Sequence, residues 1–177
     1  MKAILGIEID GETIGAELGF QALENIIWSI PDTKENTAMF AALAKHPYPR
    51  IRENIASKQN LDSESLTMLS EDKNSDVVSA VVCTETFRAF VSAEQIESIF
   101  SRGHERPIRE IISYASNFKK VSVEEIEKFL KDSDIQDPEV FLTAAQSYDL
   151  SPNFLEELAQ HPDASVAVAA KEQLKNR

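Results

Sequence analysis

The stretch Leu43-Ala44-Lys45-His46-Pro47-Tyr48-Pro49-Arg50-Ile51 decides the fold, because its apolar spacing returns along the chain. A leucine and an isoleucine stand eight positions apart across a turn that contains proline. The interval recurs three times, and once with two extra residues, at Leu69–Val77, Phe100–Ile108, Leu158–Val166 and the longer Leu130–Val140. Ten positions after four of these anchors stands another large apolar residue, at Leu61, Phe87, Phe118 and Leu150. Repetition about every thirty residues is typical of stacked supersecondary units.

The spacing inside each unit is helical. Ile51/Ile55 and Val77/Val81 are pairs four residues apart, which lie on one face of a helix. Helix starts are marked by two capping boxes, Ser92 with Gln95 and Ser122 with Glu125, and by the N-cap candidates Asp62 and Ser151. These signals predict helices at about 50–59, 63–71, 77–89, 93–102, 107–118, 123–132, 138–148, 152–160 and 164–175. The fold class is therefore all-α, with about five helix-pair repeats.

The region ahead of the repeats follows different rules. Ile14, Leu18, Ala22, Ile26 and Ile30 form one stripe, which predicts a helix that ends at Pro31. A capping box of Asp32 with Glu35 then predicts a second helix through Ala44. The alternation in 7–11 ends in a turn dipeptide and leaves a short N-terminal strand or hairpin open. We expect a single domain over 1–177, with an N-terminal capping region at 1–42 and helical repeats at 43–177.

Length and composition exclude several classes of protein. A chain of 177 residues suits one domain with a sizeable core, and no stretch is apolar enough to cross a bilayer. The first residues do not resemble a signal peptide, so a cytoplasmic protein is expected. Cys83 is the only cysteine, which excludes an internal disulfide and a cysteine-rich metal cluster. Its setting after Val81 and Val82 predicts a small buried hydrophobe, and no cofactor is expected.

The acid excess is large and uneven. The net charge is −12; residues 121–160 carry two bases and ten acids, and residues 1–32 carry one base and six acids. A negative protein repels nucleic acid and anionic membranes at long range, which argues against both as partners. The acids are interpreted either as a solubilising surface or as a platform for another protein with a basic surface. The platform would comprise Glu124, Glu125, Glu127, Asp132, Asp134 and Asp137.

One family resemblance is carried by the repeats. In the stretch 43–69, leucine-alanine is followed by a proline turn, by Ile51-Arg52 and then by a leucine-bearing helix. This order resembles the leucine-rich repeat variant, a helical relative of HEAT and armadillo repeats. The turn from Leu158 resembles that opening again, with Ala167 in place of the arginine. The resemblance covers about residues 43–177 and implies a right-handed α-solenoid that binds partners on its surface. Some members of this family carry an iron–sulfur module, which one cysteine cannot build.

The chain lacks the sequence signatures of catalysis. No Ser/His/Asp order, glycine-rich phosphate loop, HExxH or paired-cysteine motif occurs in it. The three histidines, His46, His104 and His161, occupy equivalent turn positions in different units. We interpret them as turn-stabilising or capping residues, because a general base also needs an orienting partner and a pocket. The expectation is a protein that is not an enzyme.

Four arginines form the other candidate site. Arg50, Arg52, Arg106 and Arg109 lie near the starts of two predicted helices, where they would form an anion-binding or partner-binding patch. In the alternative interpretation, Arg52 and Arg109 serve the stacking of units. We expect that second arrangement, with both arginines locked to acids or carbonyls of a neighbouring unit.

The leading functional hypothesis is a non-catalytic scaffold or adaptor for protein–protein interaction. The alternatives are a HEAT-like nucleic-acid-binding protein that uses the arginines, and an acidic inhibitor or immunity-type protein. Trp28 and Tyr48 would serve as aromatic anchors for a partner if they faced outward, although core packing is equally compatible with them.

Overall fold

The computed structural model describes residues 4–177. Within this range a two-stranded antiparallel hairpin, β1 (Ile4–Ile9) and β2 (Glu12–Glu17), precedes twelve α-helices and two short 3-10 turns. The helices are α1 (Phe20–Ser29), α2 (Thr37–Ala44), α3 (Pro49–Ala56), α4 (Ser63–Ser70), α5 (Ser75–Val82), α6 (Glu85–Phe90), α7 (Ala93–Ser101), α8 (Glu105–Ser113), α9 (Val123–Asp132), α10 (Pro138–Gln146), α11 (Pro152–Leu158) and α12 (Ala164–Lys175). The all-helical repeat region is confirmed at this level, and none of the described helices is long and apolar enough to cross a membrane.

The helices start where side chains satisfy free backbone N–H groups. Both predicted capping boxes form, at Ser92 before α7 and at Ser122 before α9. Asp62 and Ser151 cap α4 and α11, as predicted. Proline opens α3, α10 and α11, at a position where the missing N–H costs no helical hydrogen bond.

The helices pack in two rows. In the first row α3 packs against α1 and α5, α5 against α8, α8 against α10, and α10 against α12. In the second row α4 packs between α2 and α7, and α7 packs against α9. Helices of the first row, and α2, α4, α7 and α9 of the second, therefore each contact a helix of the adjacent unit, which is a helical-repeat-like arrangement.

The apolar anchors of the sequence repeat are confirmed as the core. Twelve apolar positions of the repeats, at which the helical spacing predicts burial, are buried and belong to one continuous hydrophobic cluster, whereas the anchor Leu43 is only partly buried. They are Ile55, Leu61, Leu66, Leu69, Val77, Val81, Phe87, Ile108, Ile112, Phe118, Ile126 and Leu150.

Polar contacts join only neighbouring units. Among the described residues, side-chain hydrogen bonds span either six residues or fewer, within a turn and its helix, or between 19 and 33 residues. The second class has the length of one unit. Thr86, for example, donates through its Oγ1 to the Gln59 carbonyl at 2.7 Å, and Gln95 donates to Thr67 at 3.1 Å. Each unit is therefore stabilised by contacts with its immediate neighbours and not by contacts with distant units.

The predicted helix over 14–30 is wrong in its first half. Ile14 lies in β2, and α1 begins at Phe20 and buries Leu23 and Ile27 instead of the predicted stripe. Asp10 and Gly11, with φ of 52° and 83°, form the tight turn that closes the hairpin. Residues four apart share a face in a strand as well as in a helix, so the spacing of the isoleucines did not discriminate a strand from a helix.

Two other local predictions are wrong for tertiary reasons. Asp32 caps no helix: its carboxylate accepts the backbone N–H groups of Gln59 at 2.6 Å and Asn60 at 3.0 Å. The single helix predicted over 77–89 is two helices, because Thr84 caps α6 and donates back to the Val81 carbonyl at 2.8 Å.

Cys83 is exposed at this break, which corrects the predicted buried position. Partial burial of the sulfur and the nearby Glu110 carboxylate raise the pKa of the thiol to about 11. Little thiolate forms at neutral pH, so the sulfur is a poor nucleophile.

Candidate binding groove

A cavity lies where the sequence repeat is lengthened by two residues. A groove of about 640 Å³ separates the end of α7 from the segment that joins α9 to α10. This joining segment, 133–137, lies within the longer interval between Leu130 and Val140. The groove is lined by Phe100, Ser101, Arg102, Gly103, Glu105, Asp132, Ser133, Asp134, Ile135, Gln136 and Asp137.

A second groove lies on the other side of the same segment. Its volume is about 460 Å³, and it shares Ser133, Ile135 and Gln136 with the first groove. Its far wall carries Phe141 and His161, whose rings lie 4.9 Å apart between centroids. The joining segment is therefore a ridge between two concave surfaces.

The ridge is held at its ends and in its middle. Ser133 Oγ donates to the Leu130 carbonyl at 2.8 Å, and the Asp137 carboxylate accepts the Glu139 N–H at 3.0 Å as the N-cap of α10. Ile135 is buried in the core between them. Asp137, predicted as part of the acidic platform, thus lines the groove while it also caps a helix.

The free charges of the first groove are negative. Glu105, Asp132 and Asp134 are exposed, and none of them forms a hydrogen bond or ion pair with another residue of 4–177. The only base in the lining, Arg102, donates to the carbonyls of Ser70 at 2.5 Å and Ser98 at 3.2 Å. Burial lowers the pKa of this guanidinium. Its hydrogen bonds go to backbone carbonyls, so it does not present a free charge to the groove.

The other predicted platform acids do not form one surface with these. Glu127 is buried and accepts hydrogen bonds from the backbone N–H and the hydroxyl of Ser151, so its assignment to an exposed platform is wrong. Glu125 closes the capping box of α9 and is half-buried, whereas Glu124 is exposed. The sequence did not distinguish acids that cap helices from acids that face solvent.

Arg52 is locked between units, as predicted. Its guanidinium contacts both carboxylate oxygens of Asp72, at 2.5 Å and 2.9 Å, and donates to the His46 carbonyl at 2.8 Å. Burial raises the pKa of Asp72, but hydrogen bonds from Arg52 and the Asn74 N–H outweigh it and hold that pKa below the ordinary value. The pair ties the turn before α3 to the turn before α5.

The remaining candidate arginines differ from one another. Arg50 bonds Glu24 and Glu53, each at 3.0 Å, and Arg106 bonds Asp76. Arg109 is half-buried and forms no hydrogen bond or ion pair within residues 4–177, so the predicted lock at Arg109 is wrong. Three of the four arginines are therefore matched by acids, and they do not form a free anion-binding patch.

Arg88 is a structural residue that the sequence analysis did not single out. Its guanidinium donates to the carbonyls of Val82 at 3.3 Å and Cys83 at 2.7 Å, and it stacks on the Tyr114 ring at 4.3 Å from the centroid. These carbonyls lie at the end of α5 and have no helical partner. Thr84, an N-cap residue type inside the predicted 77–89 helix and followed four residues later by an arginine, was the available signal.

Two histidines stabilise turns, as predicted. His46 Nδ1 accepts the Tyr48 N–H at 3.2 Å, and His161 Nδ1 accepts the Asp163 N–H at 3.1 Å. His104 precedes α8 without a capping hydrogen bond from its side chain. Across the described chain, no three Asp, Glu, His or Cys side chains are placed to hold a metal ion.

Comparison of the chain with protein-family models, with curated proteins and with solved structures finds no match in any of the three. Function is therefore inferred from the groove and its charges alone.

Proposed function

We propose that this chain is a non-catalytic, cytoplasmic helical-repeat protein that binds a basic segment of another protein in the groove between α7 and the 133–137 ridge. In this proposal the two rows of helices form a right-handed solenoid related to HEAT repeats and the leucine-rich repeat variant. The observation that carries the proposal is a cavity of about 640 Å³ whose unpaired charges are all carboxylates.

The dimensions and chemistry of the groove support a peptide as the ligand. A volume in the range of ligand pockets, open along one side, suits an extended side-chain-bearing segment better than an enclosed metabolite. Glu105, Asp132 and Asp134 stand on opposite walls, and each is free to pair with a lysine or arginine. Electrostatic complementarity of this kind accelerates association and selects against acidic partners.

The arginine contacts argue against the nucleic-acid alternative. Arg50, Arg52 and Arg106 already pair with acids, and Arg109 alone cannot supply the several phosphate contacts that nucleic-acid affinity requires. An inhibitor that covers a basic active site remains one form of the same proposal, because it would use the same acids.

A charge-reversal experiment tests the groove. The probe is a fluorescent lysine-rich peptide, and the variant is Asp132→Lys/Asp134→Lys. The matched control is Glu97→Lys/Glu124→Lys, which changes the net charge equally at exposed acids outside the groove. Loss of two charge-assisted contacts should weaken binding by about 100-fold, while the control should lose about 3-fold through long-range charge alone.

Equal losses in the two variants would show that only net charge matters and would exclude the groove as the site. A duplex DNA probe run in parallel should not bind at about 0.15 M salt. Binding of DNA that depends on Arg109 would overturn the proposal in favour of the nucleic-acid alternative.

A further inference from the structure

The N-terminal hairpin has one apolar face. The strands pair in the register Ile9↔Glu12, Ile7↔Ile14 and Leu5↔Ala16, and alternate side chains point to opposite faces. Five apolar side chains consequently share a face, on which Glu12 also lies at the turn end, opposite Ile9. They are Leu5, Ile7, Ile9, Ile14 and Ala16.

This apolar face is uncovered in the described chain. All twelve strand residues are exposed, and the exposed fractions of Ile7 and Ile14 are 53% and 61%. A two-stranded hairpin is marginally stable in water by itself, and a contiguous exposed apolar patch is typical of an interaction surface. The hairpin thus has both a free apolar face and a need for further packing.

The edges of the hairpin are open as well. A sheet of only β1 and β2 leaves the outer backbone groups of each strand unpaired by another strand. Natural edge strands are commonly protected by lysine, proline or a bulge. Residues 4–17 contain no lysine and no proline, and the register of the two strands is continuous, without a bulge.

The charge of the hairpin indicates what occupies it. Glu8, Asp10 and Glu12 cluster at its turn end, and residues 4–17 contain no base. A second copy of the hairpin would add more carboxylates and no base from residues 4–17, so it would not neutralise these acids. A strand with alternating apolar and basic residues, paired at the sheet edge, would instead extend the apolar face with its apolar side chains and place its basic side chains on the opposite face, beside Glu8.

We propose that the hairpin is a docking site for an extended segment of another protein, with alternating apolar and basic residues, which joins the sheet as a third strand. Main-chain hydrogen bonds would supply affinity, and the apolar face and acids would supply specificity, as in other cases of strand addition. The hairpin and the groove share no residues, so this proposal does not depend on the proposed function.

The probe for this docking site is a decapeptide of alternating lysine and valine, added to the full chain and followed by amide NMR. The amides of 4–17 should shift, and those on the paired edge should exchange at least about tenfold more slowly. An otherwise identical decapeptide of alternating glutamate and valine should not bind. Shifts confined to residues 100–105 and 132–137 would overturn this proposal and assign the peptide to the groove.

Two variants test which side chains contribute to the binding of the peptide. Ile7→Thr/Ile14→Thr keeps strand-forming residues but removes apolar area, and it should weaken binding by about tenfold or more. The control Ile4→Thr/Val168→Thr removes one exposed apolar side chain from the opposite face of the hairpin and one from α12, and it should bind as the wild type does.

If the threonine variant unfolds the strands, a hairpin with reversed charges provides a second test. Glu8→Lys/Glu12→Lys leaves the five apolar side chains in place and should reverse the preference, so that the glutamate peptide binds better than the lysine peptide. An unchanged preference would overturn the proposal. Sedimentation of the wild type without peptide should show a monomer, and a dimer with protected hairpin amides would assign the site to a second copy instead.

Discussion

At the scale of single residues, the contact between Arg52 and Asp72 is the most buried ion pair among the described residues, and it links two units. The side chains are 17% and 9% exposed, and the guanidinium also binds the turn carbonyl of His46. Arg50 forms two ion pairs as well, but its side chain is 57% exposed. Burial rather than the number of partners should decide which arginine matters for stability.

We expect Arg52→Ala to lower the free energy of unfolding by about 2–4 kcal/mol, because Asp72 would keep a buried charge without its partner. Arg50→Ala is the matched control and should cost less than about 1 kcal/mol, since exposed ion pairs are screened by water. Urea denaturation measures both. Similar losses at the two positions would contradict the interpretation of Arg52 as a structural lock.

The turn histidine His46 should make stability depend on pH. Burial and the nearby Arg52 charge lower the pKa of His46 below its ordinary value. The unfolded chain then takes up a proton at a higher pH than the folded chain does. The free energy of unfolding should fall as the pH drops below about 6.5, and the fall should end at the lower folded-state pKa.

The substitution His46→Asn tests this dependence, because an asparagine oxygen can accept the Tyr48 N–H without titrating. Between about pH 7.5 and pH 5 the variant should lose less stability than the wild type. His104→Asn is the control, since the His104 side chain makes no capping hydrogen bond. Parallel pH profiles for the wild type and His46→Asn would rule out this role.

At the scale of elements, the break between α5 and α6 depends on two side chains. Thr84 starts α6, and Arg88 satisfies the last carbonyls of α5. Without them, the apolar pattern over 77–89 favours one continuous helix. The break directs α6 back towards the second row, where Phe87 enters the core.

We expect Arg88→Ala to cost about 2–4 kcal/mol, because the carbonyls of Val82 and Cys83 would be left without a charged donor. Arg88→Lys should recover part of this loss, since lysine keeps the charge but cannot stack flat on Tyr114. Arg109→Ala, which removes an arginine without partners, should change stability by less than about 0.5 kcal/mol. Thermal unfolding monitored by circular dichroism measures all three variants.

At the scale of the whole molecule, the chain of neighbour contacts predicts a gradient of local stability. A central helix such as α5 packs against α3 and α8, whereas the hairpin packs chiefly on itself. Units at the ends have a neighbour on one side only. Local opening should therefore be easiest at the two ends.

Native-state hydrogen exchange checks this gradient. Amides in α3, α5 and α8 should exchange slowest, and amides of residues 4–17 should exchange fastest and without regard to global stability. Amides of α12 should be intermediate. Uniform protection along the chain would mean that the molecule unfolds as a single cooperative unit.

The sequence by itself determined the helices, their caps and the core. Ser92, Ser122 and Ser151 act within one turn of the chain, and the anchors from Ile51 to Val166 recur about every thirty residues. Both kinds of signal are local or periodic, so they can be recognised without knowledge of the rest of the fold. The lock at Arg52 was predicted because it belongs to the same repeat.

Only the tertiary structure decided the hairpin, the groove and the partners of the charged residues. The four-residue spacing that begins at Ile14 fits a strand as well as a helix. Asp32 accepts hydrogen bonds from the next unit and not from a helix of its own. The longer interval before Val140 is visible in the sequence. The groove that lies there depends on how 133–137 is placed relative to α7 in the folded chain. A charge on a repeat position has several neighbours within reach, and packing alone selects whether Glu127 is buried or Asp134 faces the groove.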